Sequence, residues 1–130
     1  MSNGKLVLTA FEKALETLES VVLMPKDAIV RDATIQRFEY TYELAWKMIK
    51  RHLDWAGFAD TASLSKRDLF REAAKAKLIA DADAWFEYHQ ARNETSHTYE
   101  VTAAEEVYAA ALKFTPDARA LLNELKKHHA

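Results

Sequence analysis

Within eight residues, Arg92-Asn93-Glu94-Thr95-Ser96-His97-Thr98-Tyr99 sets out a permanent cation, an imidazole and a phenol. Arginine makes bidentate contacts to phosphate, and histidine exchanges protons near neutral pH. RNA carries its own nucleophile, the 2′-hydroxyl. Its cleavage therefore needs no metal, only a general base and acid and a donor that stabilises the phosphate as it becomes five-coordinate. His97 suits the proton transfers and Arg92 the phosphate. A blander use of the same residues is also open. At a helix C-terminus, Arg92 and His97 would interact favourably with the dipole by ~0.3–1 kcal/mol, and Tyr99 would serve as core.

Geometry limits how this pair is used. Five residues apart on an unbroken helix, Arg92 and His97 would point ~140° away from each other. Either the helix ends between them or a two-fold partner chain supplies one of the two. Asn93, Thr95, Ser96 and Thr98 are weak helix formers whose side chains compete for backbone hydrogen bonds, which favours an ending. With the chain extended after Ser96, His97 and Tyr99 would share a face.

The elements that must position the octapeptide are helical. There are two glycines and two prolines in 130 residues, which leaves little room for hairpins or a many-stranded sheet. A first helix is expected over 5–23, with Phe11, Leu15, Leu18 and Val22 on one face, ending at Met24-Pro25. A long second helix runs from Asp27 to Ala56 with Gly57 as C-cap. Its main stripe is Ile35, Phe38, Tyr42, Ala45, Trp46, Ile49 and Leu53. A second row, Tyr40, Leu44 and Met48, lies nearly opposite and suggests a dimer or partner interface. Residues 58–64 form a polar connection. Ser65-Lys66-Arg67-Asp68 opens a short helix to about Lys77 in the manner of a capping box. Asp81 or Asp83 caps the helix that carries Trp85, Phe86, Tyr88 and His89 into the octapeptide. Thr102-Ala103-Ala104-Glu105 reads as a further capping box. Thr115-Pro116-Asp117 marks a restart or a kink within one long helix. The fold class expected is all-α, an antiparallel four-helix up-and-down bundle with an extra short helix, with residues 1–130 as one domain.

Composition bounds the function. Net charge is −2, so no global basic field draws in nucleic acid, and RNA binding would need a local patch. Lys47, Lys50 and Arg51 offer one on the second helix, although a solvated face is the default. The chain has no cysteine, which excludes disulfides, thiol nucleophiles and thiolate metal sites. No cofactor or metal is expected. No apolar run approaches a membrane span and no signal-like segment opens the chain, so it reads as cytoplasmic. Asp81-Ala82-Asp83 looks like a paired-carboxylate metal site but is better read as a helix start. Glu39, Glu43 and Lys47 form a row that is either a solvated edge or a partner contact. His128-His129 reads as a frayed tail.

Two segments resemble a known family. Arg92 to Tyr99 matches the Arg-x4-His-x-Tyr form of the HEPN signature. Arg31-Asp32-Ala33-Thr34-Ile35-Gln36-Arg37-Phe38-Glu39-Tyr40-Thr41-Tyr42-Glu43-Leu44-Ala45-Trp46-Lys47 is similar to the second helix of the nucleotidyltransferase substrate-binding proteins, a branch of the HEPN superfamily. The similarity covers nearly the whole chain. It implies a helical bundle that forms a homodimer and works with a separately encoded minimal nucleotidyltransferase. It further implies a toxin–antitoxin-like pair, in which Arg92 and His97 form a metal-independent ribonuclease site across the dimer cleft. Tyr99, with Asn93 beside it, would accept a nucleotide from the partner. The alternative within the same resemblance is a non-catalytic subunit that presents a nucleotide or other substrate to the nucleotidyltransferase. Glu94-Thr95-Ser96 is more polar than the filling common in the toxins and puts an acid near the presumed phosphate site.

Overall fold

The computed structural model describes residues 4–130. Among these there are five α-helices, two 3-10 turns and no strand: α1 (Thr9–Val22), α2 (Ala28–Trp55), a turn at Thr61–Ser63, α3 (Lys66–Lys75), α4 (Ala82–Asn93), a turn at Thr95–His97, and α5 (Val101–His129). The chain is all-α, as its composition predicts. α1, α2 and α5 pack on one another, α4 packs on α5 and α2, and α3 packs on α4 and α2.

Three of the helix starts follow from local capping. Asp27 accepts a hydrogen bond from the Val30 amide at 2.7 Å, and Ser65 accepts one from the Asp68 amide at 3.1 Å. Asp81 accepts from the Asp83 and Ala84 amides, so Asp81-Ala82-Asp83 is a helix start. Gly57 takes φ +96° at the end of α2. There the Phe58 amide reaches back to the Leu53 carbonyl, closing the helix with a left-handed residue that glycine adopts without strain.

Other boundaries differ from the sequence expectation, each for a tertiary reason. α1 starts at Thr9 rather than near residue 5. The segment before it is tied instead to the end of α5, where the Leu6 amide donates to His129 Nδ1 at 3.1 Å and Lys5 Nζ to the Ala130 carbonyl at 3.0 Å. His128-His129 is therefore not a frayed tail. His129 is buried, and its Nε2 lies 2.8 Å from His52 Nδ1 of α2. The Thr102–Glu105 capping box does not form. α5 begins at Val101 without a side-chain cap, and Glu105 is engaged by Lys26 and Arg31. Pro116 removes one amide donor but does not break α5. The turns before it gain side-chain bonds, from Thr115 Oγ1 to the Ala111 carbonyl and from Tyr88 Oη to the Lys113 carbonyl.

Buried side chains form one contiguous apolar cluster with an aromatic centre. The Phe114 ring meets Phe38, Trp85 and Tyr88 edge-on, with centroids 5.2, 5.5 and 5.3 Å away. Such pairs contribute ~0.5–1.5 kcal/mol each beyond the area they bury. The row Tyr40, Leu44, Met48 is not a second free face. Tyr40 is exposed, Leu44 half-buried and Met48 buried in the core. Each step of four residues turns ~40° around the helix, so a row that starts opposite the core at Tyr40 has rotated to its margin by Met48.

Candidate functional site

The octapeptide straddles the end of α4. Arg92 lies in the last turn, Asn93 ends the helix, and residues 95–97 continue as a 3-10 turn. The weak helix formers act as their chemistry predicts. Thr95 Oγ1 donates to the Arg92 carbonyl at 2.8 Å and Thr98 Oγ1 to the Thr95 carbonyl at 3.1 Å. Side-chain hydroxyls thus take up carbonyls that the ending helix would leave open. The amides of Glu94, His97 and Glu100 close successive short loops on Ala91, Glu94 and His97.

The helix ends between Arg92 and His97, and the two side chains take separate directions. Arg92 turns to α2, where its Nε donates to Glu43 Oε2 at 2.7 Å. Its two terminal nitrogens make no hydrogen bond to a described residue, so a forked pair of donors is left for a ligand. His97 is exposed beside Tyr99, with ring centroids 6.4 Å apart at 67°. Tyr99 is 80% exposed, which rules out a core role. A shallow cleft of about 310 Å³, lined by Asp32, Ile35, Thr98 and Tyr99, opens next to its ring. Asn93 is exposed at the helix end. No hydrogen bond or ion pair joins Arg92 to His97 among the described residues.

Glu39 and Glu43 form neither a solvated edge nor a free contact row. Glu39 Oε2 accepts from Thr95 Oγ1 at 3.1 Å, and Glu43 spans Arg92 and the Trp46 indole N–H, the latter at 3.2 Å. The two acids hold the octapeptide against α2. A signal for this partnership was present in the chain. Arg92 has no acid three or four residues away on its own helix, so any carboxylate partner had to come from another element.

A second pair missed by sequence reasoning lies one turn earlier. Tyr42 Oη is 2.9 Å from His89 Nδ1. Burial pushes the Tyr42 phenol well above its ordinary range. Burial first, and then the charges of Lys66 and Arg92, hold His89 below the ordinary histidine value, with Glu43 opposing. The phenol therefore donates to a neutral imidazole.

The α4–α5 side of the molecule offers phosphate less. The groove of about 600 Å³ between α4 and α5 is walled by Glu87, Glu94, Glu100 and Glu106 against Lys113 alone. Among the described residues no group of three or more histidines and carboxylates is placed to hold a metal ion, and no helix is long and apolar enough to cross a membrane.

Comparison with known proteins agrees with this architecture. A Haemophilus influenzae protein named probable ribonuclease HepT is 35% identical over a 143-residue alignment that covers 99% of this chain and 98% of the relative. A Haemophilus influenzae structure, described as revealing the fold of a substrate binding domain of a nucleotidyltransferase, superposes with a TM-score of 0.83 at 33% identity. It covers 92% of this chain and 99% of that one. A Thermus thermophilus crystal structure gives a TM-score of 0.76 at 28% identity, covering 88% and 98%. The model of the family described as nucleotidyltransferase substrate binding protein like matches residues 6–127. With the helical order, the octapeptide at the end of α4 and a match over nearly its full length, the chain belongs to the nucleotidyltransferase substrate binding protein-like family, within the HEPN superfamily.

Proposed function

We propose that this chain is the HEPN-type partner of a separately encoded minimal nucleotidyltransferase in a toxin–antitoxin-like pair. Arg92 and His97 act as a metal-independent ribonuclease pair, and Tyr99 is the residue that accepts a nucleotide. The observation that carries the reading is the turn after Asn93. It presents the Tyr99 phenol at 80% exposure with the His97 ring beside it, while Glu43 fixes Arg92 through Nε alone.

In this reading two protomers meet at the octapeptide, so the cleft holds two arginines and two histidines. One imidazole takes the proton from a ribose 2′-hydroxyl as its oxygen attacks the adjacent phosphorus. The free nitrogens of Arg92 hydrogen-bond the phosphate oxygens as their charge grows. The other imidazole returns a proton to the departing 5′-oxygen, leaving a 2′,3′-cyclic phosphate and a 5′-hydroxyl. AMP on Tyr99 places a bulky anion beside His97, which blocks the RNA and repels its phosphates.

The test is incubation with the cognate nucleotidyltransferase, Mg²⁺ and ATP, read by intact-protein and peptide mass spectrometry. AMP addition on the peptide containing Tyr99 is expected, and its loss in Tyr99→Phe. Equal labelling of that variant would dismiss the acceptor assignment.

A second reading has an observation of its own. Glu43 already compensates the charge of Arg92, and Glu39 engages Thr95 three residues on. That favours a non-catalytic subunit that presents a nucleotide or other substrate to the partner enzyme. A stable complex with the nucleotidyltransferase, showing neither RNA cleavage nor labelling, would select it.

A further inference from the structure

Leading away from Arg92 across α2, α3 and α4 is a surface made of aromatic rings and unpaired cations. Glu43 starts it, with one oxygen on Arg92 and the other on the Trp46 indole. Lys66 Nζ stands 3.7 Å from the centroid of the Trp46 ring, and Lys47 Nζ lies 5.9 Å from it. The next residue along α3, Arg67, sets its guanidinium carbon 3.8 Å from the centre of the Phe86 ring. Phe86 in turn neighbours His89, with centroids 5.9 Å apart. Lys66 and Arg92 both lie close enough to His89 for their charges to add to the lowering that burial imposes on it.

The cations here are costly by ordinary rules. Lys66 and Arg67 occupy the first turn of α3, where the helix dipole disfavours positive charge. Among the described residues, neither of them nor Lys47 has a carboxylate within ion-pair distance, although nearby Lys50, Arg71 and Lys75 each have one. The protein as a whole is acidic, at net charge −2. Three unneutralised cations on two rings, next to the Glu43-paired Arg92, therefore form a local positive field set against the general one. Rings and guanidinium planes accept nucleobases regardless of sequence, and ammonium groups follow a phosphate backbone. A purely acidic protein surface would use the charges but would have no need of the rings.

We propose that Trp46, Lys47, Lys66, Arg67 and Phe86 form a binding track for single-stranded RNA that leads to Arg92. The exposed guanidinium of Arg67 offers a stacking plane, and the half-buried Trp46 ring seats Lys66 beside it. Lys47 and Lys66 hold the intervening phosphates. The track rests on the ribonuclease reading for its purpose but not for its measurement, because binding is read without cleavage.

The experiment uses full-length protein carrying His97→Ala, so that the probe survives, and a 12-nucleotide oligouridine labelled with fluorescein. Fluorescence anisotropy is followed over a series of salt concentrations. In the Lys66→Ala/Arg67→Ala variant, affinity is expected to fall roughly tenfold. The salt dependence should become shallower by about 0.7 for each phosphate contact removed. Lys47→Glu, on an exposed residue, should weaken binding without disturbing the fold. Unlabelled oligouridine should quench tryptophan fluorescence, and the Trp46→Phe variant should lose that quenching. Unchanged affinity and slope in these variants, or no binding by the His97→Ala parent, would overturn the track. So would variants that bind RNA normally but no longer capture the nucleotidyltransferase, since the surface would then belong to the protein partner. An intact chain that fails to cleave RNA yet shows the expected binding losses would remove the ribonuclease reading and leave the track standing.

Discussion

The protein treats the same side chain in opposite ways in two regions. In the turn that follows α4, the His97 ring is exposed and has no hydrogen-bond partner among the described residues; its one ring neighbour, Tyr99, is itself exposed. Where α2 and α5 end, His52 and His129 are buried, joined to each other, and in tilted or edge-on ring contact with Trp55 and His128. The second arrangement fixes its protons. The Leu6 amide donates to His129 Nδ1, so that nitrogen carries no proton, and Nε2–H donates to His52 Nδ1. Burial, then the charges of His128 and His129, hold His52 down to about 4. Burial likewise depresses His129. The histidine of the turn is left in water, and the histidines that join α2 to α5 are kept dry.

Three substitutions or conditions would break or sharpen this contrast. The largest effect is expected at the exposed site. His97→Ala should lower metal-free RNA cleavage by ~10²–10⁴, the usual worth of a positioned acid–base group, with the urea midpoint unchanged. Cleavage assayed in EDTA alongside a urea melt would check both halves, and a loss of stability would mean the ring is structural after all. At the buried site the outcome is reversed. His129→Ala leaves the Leu6 amide and a His52 nitrogen unsatisfied, so it should lose ~1–3 kcal/mol of stability while cleavage persists. Equilibrium urea unfolding would measure the loss.

The smallest effect is with pH. Because the folded value of His52 lies below its unfolded value, the unfolded chain binds more protons between the two. The stability contribution is therefore complete above about 6.5, the ordinary histidine value, and falls as pH drops towards about 4. Thermal melts from pH 7.5 to 4.5 should show a decreasing Tm that flattens in His52→Asn. A slope unchanged by that substitution would place the titration elsewhere.

Features of the fold that depend on neighbouring residues could be read from the chain. Asp27, Ser65 and Asp81 cap their helices, and Gly57 closes one, because each of these contacts spans only a few residues. The ending of α4 within the octapeptide was legible in its hydroxyl-rich sequence, although a 3-10 turn at Thr95–His97 and a turn at Thr98 replace the extended chain expected after Ser96. Features that depend on distant partners were not. Glu105 satisfies the capping-box pattern but is claimed by Lys26 and Arg31 from across the bundle. His129 looks like a tail residue until α2 supplies His52. The positions of Arg92, His97 and Tyr99 along the chain gave the chemistry of the candidate site. Its supports, Glu39 and Glu43, lie about fifty residues earlier, and only the packing of α2 on α4 brings them there. The local basic patch foreseen on α2 is only partly so composed. Lys50 is paired with Asp54, and the other members of the cationic surface come from α3.

The bond from the Leu6 amide to His129 spans 123 residues. A nascent chain leaves the ribosome from its beginning, so residues 5–8 must wait for α5 before their resting place exists. During synthesis that segment is available to chaperones and proteases while α1 and α2 can already pair. Its docking then depends on the last turn of α5, which supplies His129.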